Sequence, residues 1–317
     1  MRILITGALG YLGGRISRHL STRGDIFLRL GTNRRDVQQP QWLAQGEMAQ
    51  LDVLSDDNLE ASCAGINCII HLAALNEIDS VVDPARALTV NAGGTLKLLQ
   101  AARKAGVKRF IYFSTAHVYG APLIGHITEQ SIPRPVHPYA ITHHTAEDFV
   151  LAEHEKKNIE GIVIRLSNSV GAPLDVSVNR WTLLVNDLCR QAVTQKQLIL
   201  KTAGLQSRDF ICLHDVCRIV EHMAKLSTES IGNGIFNVGG KRSLRVREIA
   251  EIIARRCEVT MGFRPSIHFP AAKISDGIAV HLDYDVEKLL STGYVLTGDI
   301  NKEIDETLAI CLGSSAQ

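Results

Sequence analysis

"MRILITGALGYLGG", residues 1–14, decides the fold. Arg2 to Thr6 is a short apolar run of the kind that forms a buried strand, and the stretch from Tyr11 to Arg23 reads as a helix. Gly7, Gly10 and Gly13 fall between the two, in a G-x-x-G-x-x-G spacing rather than G-x-G-x-x-G. Glycines there permit a tight turn and let backbone N–H groups approach a pyrophosphate, to which the helix N-terminus adds partial positive charge. The loop residues Gly7, Leu9, Gly10, Tyr11, Leu12 and Gly13 are therefore candidates for binding a dinucleotide.

Outward from this loop, strand-like and helix-length segments alternate. "DIFLRL", "NCIIHLAA", "KRFIYFS" and "GIVIRLS" read as strands. Pro84 to Gly106, with Pro near its start and Gly at its end, reads as one helix, and His137 to Lys157 as another. Repeated β-α-β order implies an α/β fold, a doubly wound parallel sheet of Rossmann type with helices on both faces. The regularity fades after "VGAP". The expectation is a dinucleotide-binding domain over 1–170, with segments near 207–240 returning to it, and a smaller, mainly substrate-binding region over 171–317.

The 317 residues suffice for a large core, and 45% apolar with 21% charged residues is ordinary for a globular chain. A net charge of +1 gives no reason to expect a nucleic-acid or membrane partner. No signal-peptide pattern opens the chain and no apolar run approaches the ~20 residues of a membrane helix, so a cytoplasmic protein is expected. Seven cysteines, none in a C-x-x-C pair, are expected to be buried thiols rather than disulfides or metal ligands; no metal site is expected.

The choice of dinucleotide turns on the end of the second strand. NAD binders usually place an acid there for the ribose hydroxyls. Here Leu30 and Gly31 stand in that place and Arg34 and Arg35 follow. Guanidinium groups suit a 2′-phosphate, which favours NADP over NAD. Asp36 is an alternative, displaced ribose acceptor.

The ordered motifs "TGALGYLGG", "LDVLS", "HLAAL", "NAGGTLKLLQAAR", "FSTAHVYG", "PYAITHHTAE", "RLSNSVGAP", "SRDFICLHDV" and "FNVGG" resemble those of extended short-chain dehydrogenase/reductases, in the nucleotide-sugar epimerase/dehydratase branch. The resemblance covers nearly the whole chain. It implies that Asp52 and Val53 contact the adenine, and that the turn at His71, Leu72, Ala73 and Ala74 lines the cofactor cleft. It also implies that Asn91 supports the central sheet. Tyr139 becomes the acid/base and Thr115 a hydroxyl partner for the reacting oxygen, whereas Tyr119 is structural. An unperturbed tyrosine, with a pKa near ~10, is a poor base at neutral pH and needs a nearby cation.

Two departures from the family pattern matter. The lysine that normally bonds the nicotinamide ribose and lowers the tyrosine pKa is replaced by His143, an imidazole mostly neutral at pH 7. His144, beside it, is expected at the surface or in a dimer contact. The acidic pair that follows the threonine in sugar 4,6-dehydratases is replaced by Ala116 and His117, which disfavours 4,6-dehydration. Epimerisation or net redox of a nucleotide-linked sugar, through a keto intermediate, remains.

On the substrate side the resemblance assigns Asn168 and Arg208 to the phosphates, Asn76 to the sugar pocket and Lys273 to a second basic contact. Arg208 suits the task because its planar fork makes two charge-assisted bonds. A homodimer through the helices from Pro84 and His137 is also implied, with Ala87, Val90 and Leu98 spaced to permit it. A dehydrogenase of a non-nucleotide alcohol and a cofactor-sensing protein of the same fold are the competing readings.

Overall fold

The computed structural model describes residues 1–55, 58–271 and 281–315; Lys273 lies outside them. Seven parallel strands form the main sheet: β1 (Arg2–Thr6), β2 (Phe27–Thr32), β3 (Gly46–Gln50), β4 (Cys68–His71), β5 (Arg109–Thr115), β7 (Glu160–Leu166) and β11 (Ile235–Val238). Among the described residues the remaining strands, β10 apart, have three residues each. They are β6 (Gly125–Ile127), β8 (Asn168–Val170), β9 (Gln197–Ile199), β10 (Ser207–Cys212), β12 (Ser243–Arg245), β13 (Ser266–His268) and β14 (Leu282–Tyr284).

The main sheet runs in the order β11-β7-β5-β4-β1-β2-β3. From β1 the chain winds outward to β3, then returns to the other side of β1 and winds outward to β11. The order therefore reverses between β1 and β4, and such a switch point opens a crevice at the carboxyl ends of the two strands. Ile3, Leu4 and Ile5 are fully buried, as both faces of a helix-covered parallel sheet require. One core lies between the sheet and the helices Tyr11–Leu20 and Leu213–Lys225; a second, on the opposite face, packs Leu98, Leu99, Val150 and Phe110. A third joins the helices Leu184–Gln195, Val246–Met261 and Ile300–Ser315.

Of the segments near 207–240, β11 joins the main sheet, whereas β10 pairs with β8 and β12 in a separate three-stranded sheet. The single helix expected from Pro84 to Gly106 is broken. It runs as Pro84–Ala87, a π-helical turn Leu88–Gly93, and Gly94–Lys104. The wider turn swings Asn91 inward to full burial, the local irregularity that such turns bring to functional sites. At Gly94 a Cβ would lie 2.6 Å from Val53 Cγ2, so this helix needs glycine to reach the loop after β3. No helix among the described residues is long and apolar enough to cross a membrane.

Candidate active site

A cleft of about 820 Å³ opens at the switch point. The glycine loop forms part of its wall. Gly7 has φ +63°, a left-handed conformation that suits glycine, and its missing Cβ lets it lie against the backbone of Leu72 and Ala73. At Gly13 a Cβ would meet the Gly7 carbonyl oxygen at 2.1 Å. The helix Tyr11–Leu20 starts with no side-chain cap at Gly10, so its first N–H groups are left for a ligand. The Tyr11 hydroxyl turns away to donate to the Gly171 carbonyl (2.8 Å), which anchors the helix to the turn after β8.

The loop after β4 forms the facing wall, held by a buried polar chain. The Thr6 hydroxyl oxygen accepts from the Leu72 and Ala73 N–H groups (3.1 and 3.2 Å). Its single proton therefore goes to His71 Nδ1, 2.6 Å away. His71 Nε2–H then donates to the Thr95 hydroxyl (2.9 Å), which donates to the Asn91 carbonyl. Burial pushes the His71 pKa down to about 3 and keeps the ring neutral. Asn91 Oδ1 accepts from the Leu75 N–H (2.7 Å), and its Nδ2 donates to the Thr142 hydroxyl (3.0 Å). One side chain thus ties the β4 loop to the helix Pro138–Glu155.

That helix presents Tyr139 and His143 to the cleft, one turn apart, with ring centroids 4.3 Å from each other. The Tyr139 pKa is pushed up to about 12, first by burial; Arg180 lowers it and Glu77 raises it. His143 is buried and its pKa is pushed down to about 4 by burial, so it supplies no charge at neutral pH. Its Nδ1 is 2.7 Å from the Tyr112 hydroxyl, and its Nε2 is buried with no partner among the described residues. His144 is half-buried and does not line the cleft. Thr115, at the end of β5, lines the cleft; its oxygen accepts from the His117 N–H (3.2 Å), which leaves its own proton to give.

Arg208 and Asn168 face the same space. Arg208 is half-buried, burial lowers its pKa, and no carboxylate pairs with it among the described residues. An unpaired guanidinium in a cleft is an anion site in waiting. Asn168 Nδ2 donates to the Asp209 carbonyl (3.0 Å). Asn76 also borders the cleft, but its side chain caps the helix Glu77–Val82, with Oδ1 accepting from Ile78 and Asp79 N–H and Nδ2 donating to Asp79. Sugar recognition by that amide would cost the cap.

Of the other expected contacts, Leu72, Ala74 and Arg34 line the cleft, whereas Leu9, Arg35, Asp52, Val53, Ala73 and Asn91 do not. Asp52 Oδ1 accepts from Leu54 N–H, Val53 packs on the helix from Gly94, and Asn91 lies behind the wall. Among the cleft residues that escaped the sequence reading as site residues, four are ionisable: Glu77, His117, His137 and Arg180. Glu77 and Arg180 form an ion pair (3.1 Å) between the β4 side and the segment after β8. His117 opens to the cleft yet is closely surrounded, and burial, Arg208 and His137 all lower its pKa. Nothing in their spacing marks these four; the fold alone brings them together.

The glycine cradle, the uncapped helix start and the orphaned His143 Nε2 fit a dinucleotide laid along the cleft. The NAD dependent epimerase/dehydratase family model matches residues 3–239, and the chain belongs to that family. It is 28% identical to a UDP-glucose 4-epimerase of Streptomyces lividans over 276 residues, 80% of each chain. It is 27% identical to a dTDP-glucose 4,6-dehydratase of Streptomyces niveus, covering 81% of this chain and 78% of that one. In fold it matches the structure of MoeE5 in complex with UDP-glucuronic acid and NAD, with a TM-score of 0.81, 24% identity and coverage of 99% and 100%.

Proposed function

We propose that the protein is an NAD(P)-dependent epimerase or reductase of a nucleotide-linked sugar, acting through a keto-sugar intermediate. The observation that carries this reading is one cleft whose lining brings together the glycine loop, Tyr139, Thr115, Arg208 and Asn168. The dinucleotide, when bound, supplies the hydride acceptor or donor. Tyr139 moves the proton of the reacting hydroxyl, Thr115 orients that oxygen, and Arg208 holds the phosphates of the substrate. Residues 1–170, with segments near 207–240, are assigned to the dinucleotide-binding domain, and 171–317 mainly to the substrate.

His143 takes the place of the usual lysine in this reading, as a neutral hydrogen-bonding group. With no fixed cation there, the Tyr139 phenol is a better proton donor than acceptor at neutral pH, which suits reduction of a ketone. Ala116 and His117 after Thr115 disfavour 4,6-dehydration, since neither is the carboxylate that reaction uses. Arg34 beside the cleft, and the lack of an acid at the end of β2, favour NADP over NAD. Exposed apolar residues on the helices Glu77–Val82 and Pro138–Glu155 favour a homodimer.

The test is a thermal-shift screen of UDP-, GDP- and dTDP-sugars with NADP⁺ or NAD⁺ present, followed by turnover of the best pair. Tyr139→Phe should keep dinucleotide binding and lose turnover by about 10²-fold or more. Normal turnover in that variant sinks the mechanism. Stabilisation by free alcohols instead of sugar nucleotides points to the non-nucleotide dehydrogenase.

A further inference from the structure

His143 is not simply a neutral ring beside Tyr139, because one of its nitrogens is already spoken for. The Tyr112 hydroxyl lies 2.7 Å from Nδ1, in the interior of the fold. Tyr112 sits in β5, with its ring between those of His71 and His143 at centroid separations of 5.8 and 5.7 Å. Its phenol is neutral, since burial raises its pKa well above the usual range. It therefore has one proton to give. The neighbouring Thr95 hydroxyl already accepts from His71 and donates to Asn91, and an imidazole nitrogen is the better acceptor. When Nδ1 accepts that proton, the neutral ring must carry its own on Nε2. Nε2 makes no well-formed hydrogen bond among the described residues, the Phe113 backbone beside the ring favours an N–H on it, and the ring lines the cleft against Tyr139.

We propose that Tyr112 is a positioning residue that locks His143 in the Nε2–H tautomer, so that the ring offers one fixed donor to a hydroxyl oxygen of the bound dinucleotide. Neither residue alone does this. A histidine free to exchange tautomers would present a lone pair to the cleft part of the time, and a hydroxyl can satisfy only one of the two states at once. The pair Tyr112–His143 thus supplies the hydrogen bond of a lysine without its charge. The consequence for binding rests on the functional reading above; the tautomer itself does not.

The experiment uses the full chain labelled with ¹⁵N-histidine and no dinucleotide. Two-bond ¹H–¹⁵N spectra at about pH 7, with His143 assigned through its loss in His143→Gln, are expected to show a bare Nδ1 and a protonated Nε2. An Nδ1–H ring, an imidazolium or an even mixture in the wild type overturns the proposal. In Tyr112→Phe the ring should become a mixture of tautomers, and an unchanged Nε2–H signature overturns it as well. Should that variant not fold, the wild-type spectrum decides alone.

A binding cycle gives the second readout. Tyr112→Phe should weaken the tighter-binding dinucleotide about 5-fold, the scale of one hydrogen bond, and should have under about twofold effect in a His143→Lys background. Equal losses in both backgrounds would make Tyr112 a packing residue and overturn the proposal. A wild-type protein that binds neither NAD⁺ nor NADP⁺ sinks the functional reading instead, while the spectrum still decides the tautomer.

Discussion

Gly13 shows how much one missing methyl carries. Its Cβ would stand 2.1 Å from the Gly7 carbonyl oxygen, far inside contact distance and against backbone that cannot swing aside. Gly13→Ala should therefore lower dinucleotide affinity by about tenfold or more, since Gly7 itself is wedged against Leu72 and Ala73. Titration of intrinsic fluorescence checks this, and unchanged affinity would show that the loop yields. Gly10 has more room, with its nearest neighbour at 3.2 Å. The glycines were legible in the sequence because their requirement is local. Tyr139 and Thr115, which the motifs singled out, both line the cleft. The partner of His143 was not legible, because Tyr112 lies 31 residues away on a strand that the motif does not mention.

The helix Pro138–Glu155 places three polar side chains on one face at four-residue intervals: Tyr139, His143 and Glu147. The first two reach the cleft and the third goes deeper. Glu147 is fully buried and paired with Arg165 (2.7 Å), while the Ser114 hydroxyl donates to it and the Arg165 guanidinium stacks on Tyr119 (4.7 Å). This buried pair fixes the rotation of the helix about its axis, and hence the aim of Tyr139. The opposite side of the same layer is unusually apolar where it meets water. Val82 is 80% exposed and Val81 54%, with Ile78, Leu88 and Ile141 beside them in the same helical layer. Of the residues whose spacing suggested an interface, Ala87 and Leu98 are instead buried in their own chain and Val90 is partly buried against its core. Val82→Asp should convert a dimer to a monomer in sedimentation velocity and leave dinucleotide binding intact. A monomeric wild type would remove the dimer from the proposal.

At the scale of the whole molecule, two neutral histidines inside the fold couple its stability to pH. An unfolded imidazole binds a proton below its ordinary value near ~6.5, whereas folded His143 does so only near about 4 and His71 near about 3. The unfolded chain therefore binds more protons across that window. Stability should fall as pH drops from ~6.5, by up to about 1.4 kcal/mol per pH unit for each ring. Urea unfolding at pH 7 and pH 5.5 should differ by about 2–3 kcal/mol. A flat profile would show that these rings are not held neutral, and His71→Gln should halve the slope. The doubly wound sheet was readable from alternating strands and helices, since burial on both faces writes continuous apolar runs. Of the cleft walls beyond Val170 only Arg208 was readable, through its motif, because Val178 to Val185 gain their place only from tertiary contact.

Thr6 has a consequence for how such a protein can change. By holding the Leu72 and Ala73 N–H groups and His71 at once, its hydroxyl welds the ends of β1 and β4 together under the glycine loop. The glycine-loop end of the cleft is therefore a fixed jig that tolerates little variation. The opposite wall is joined to the β4 side through the Glu77–Arg180 pair, two partly exposed side chains. That wall can change residue by residue while the glycine-loop end keeps its geometry.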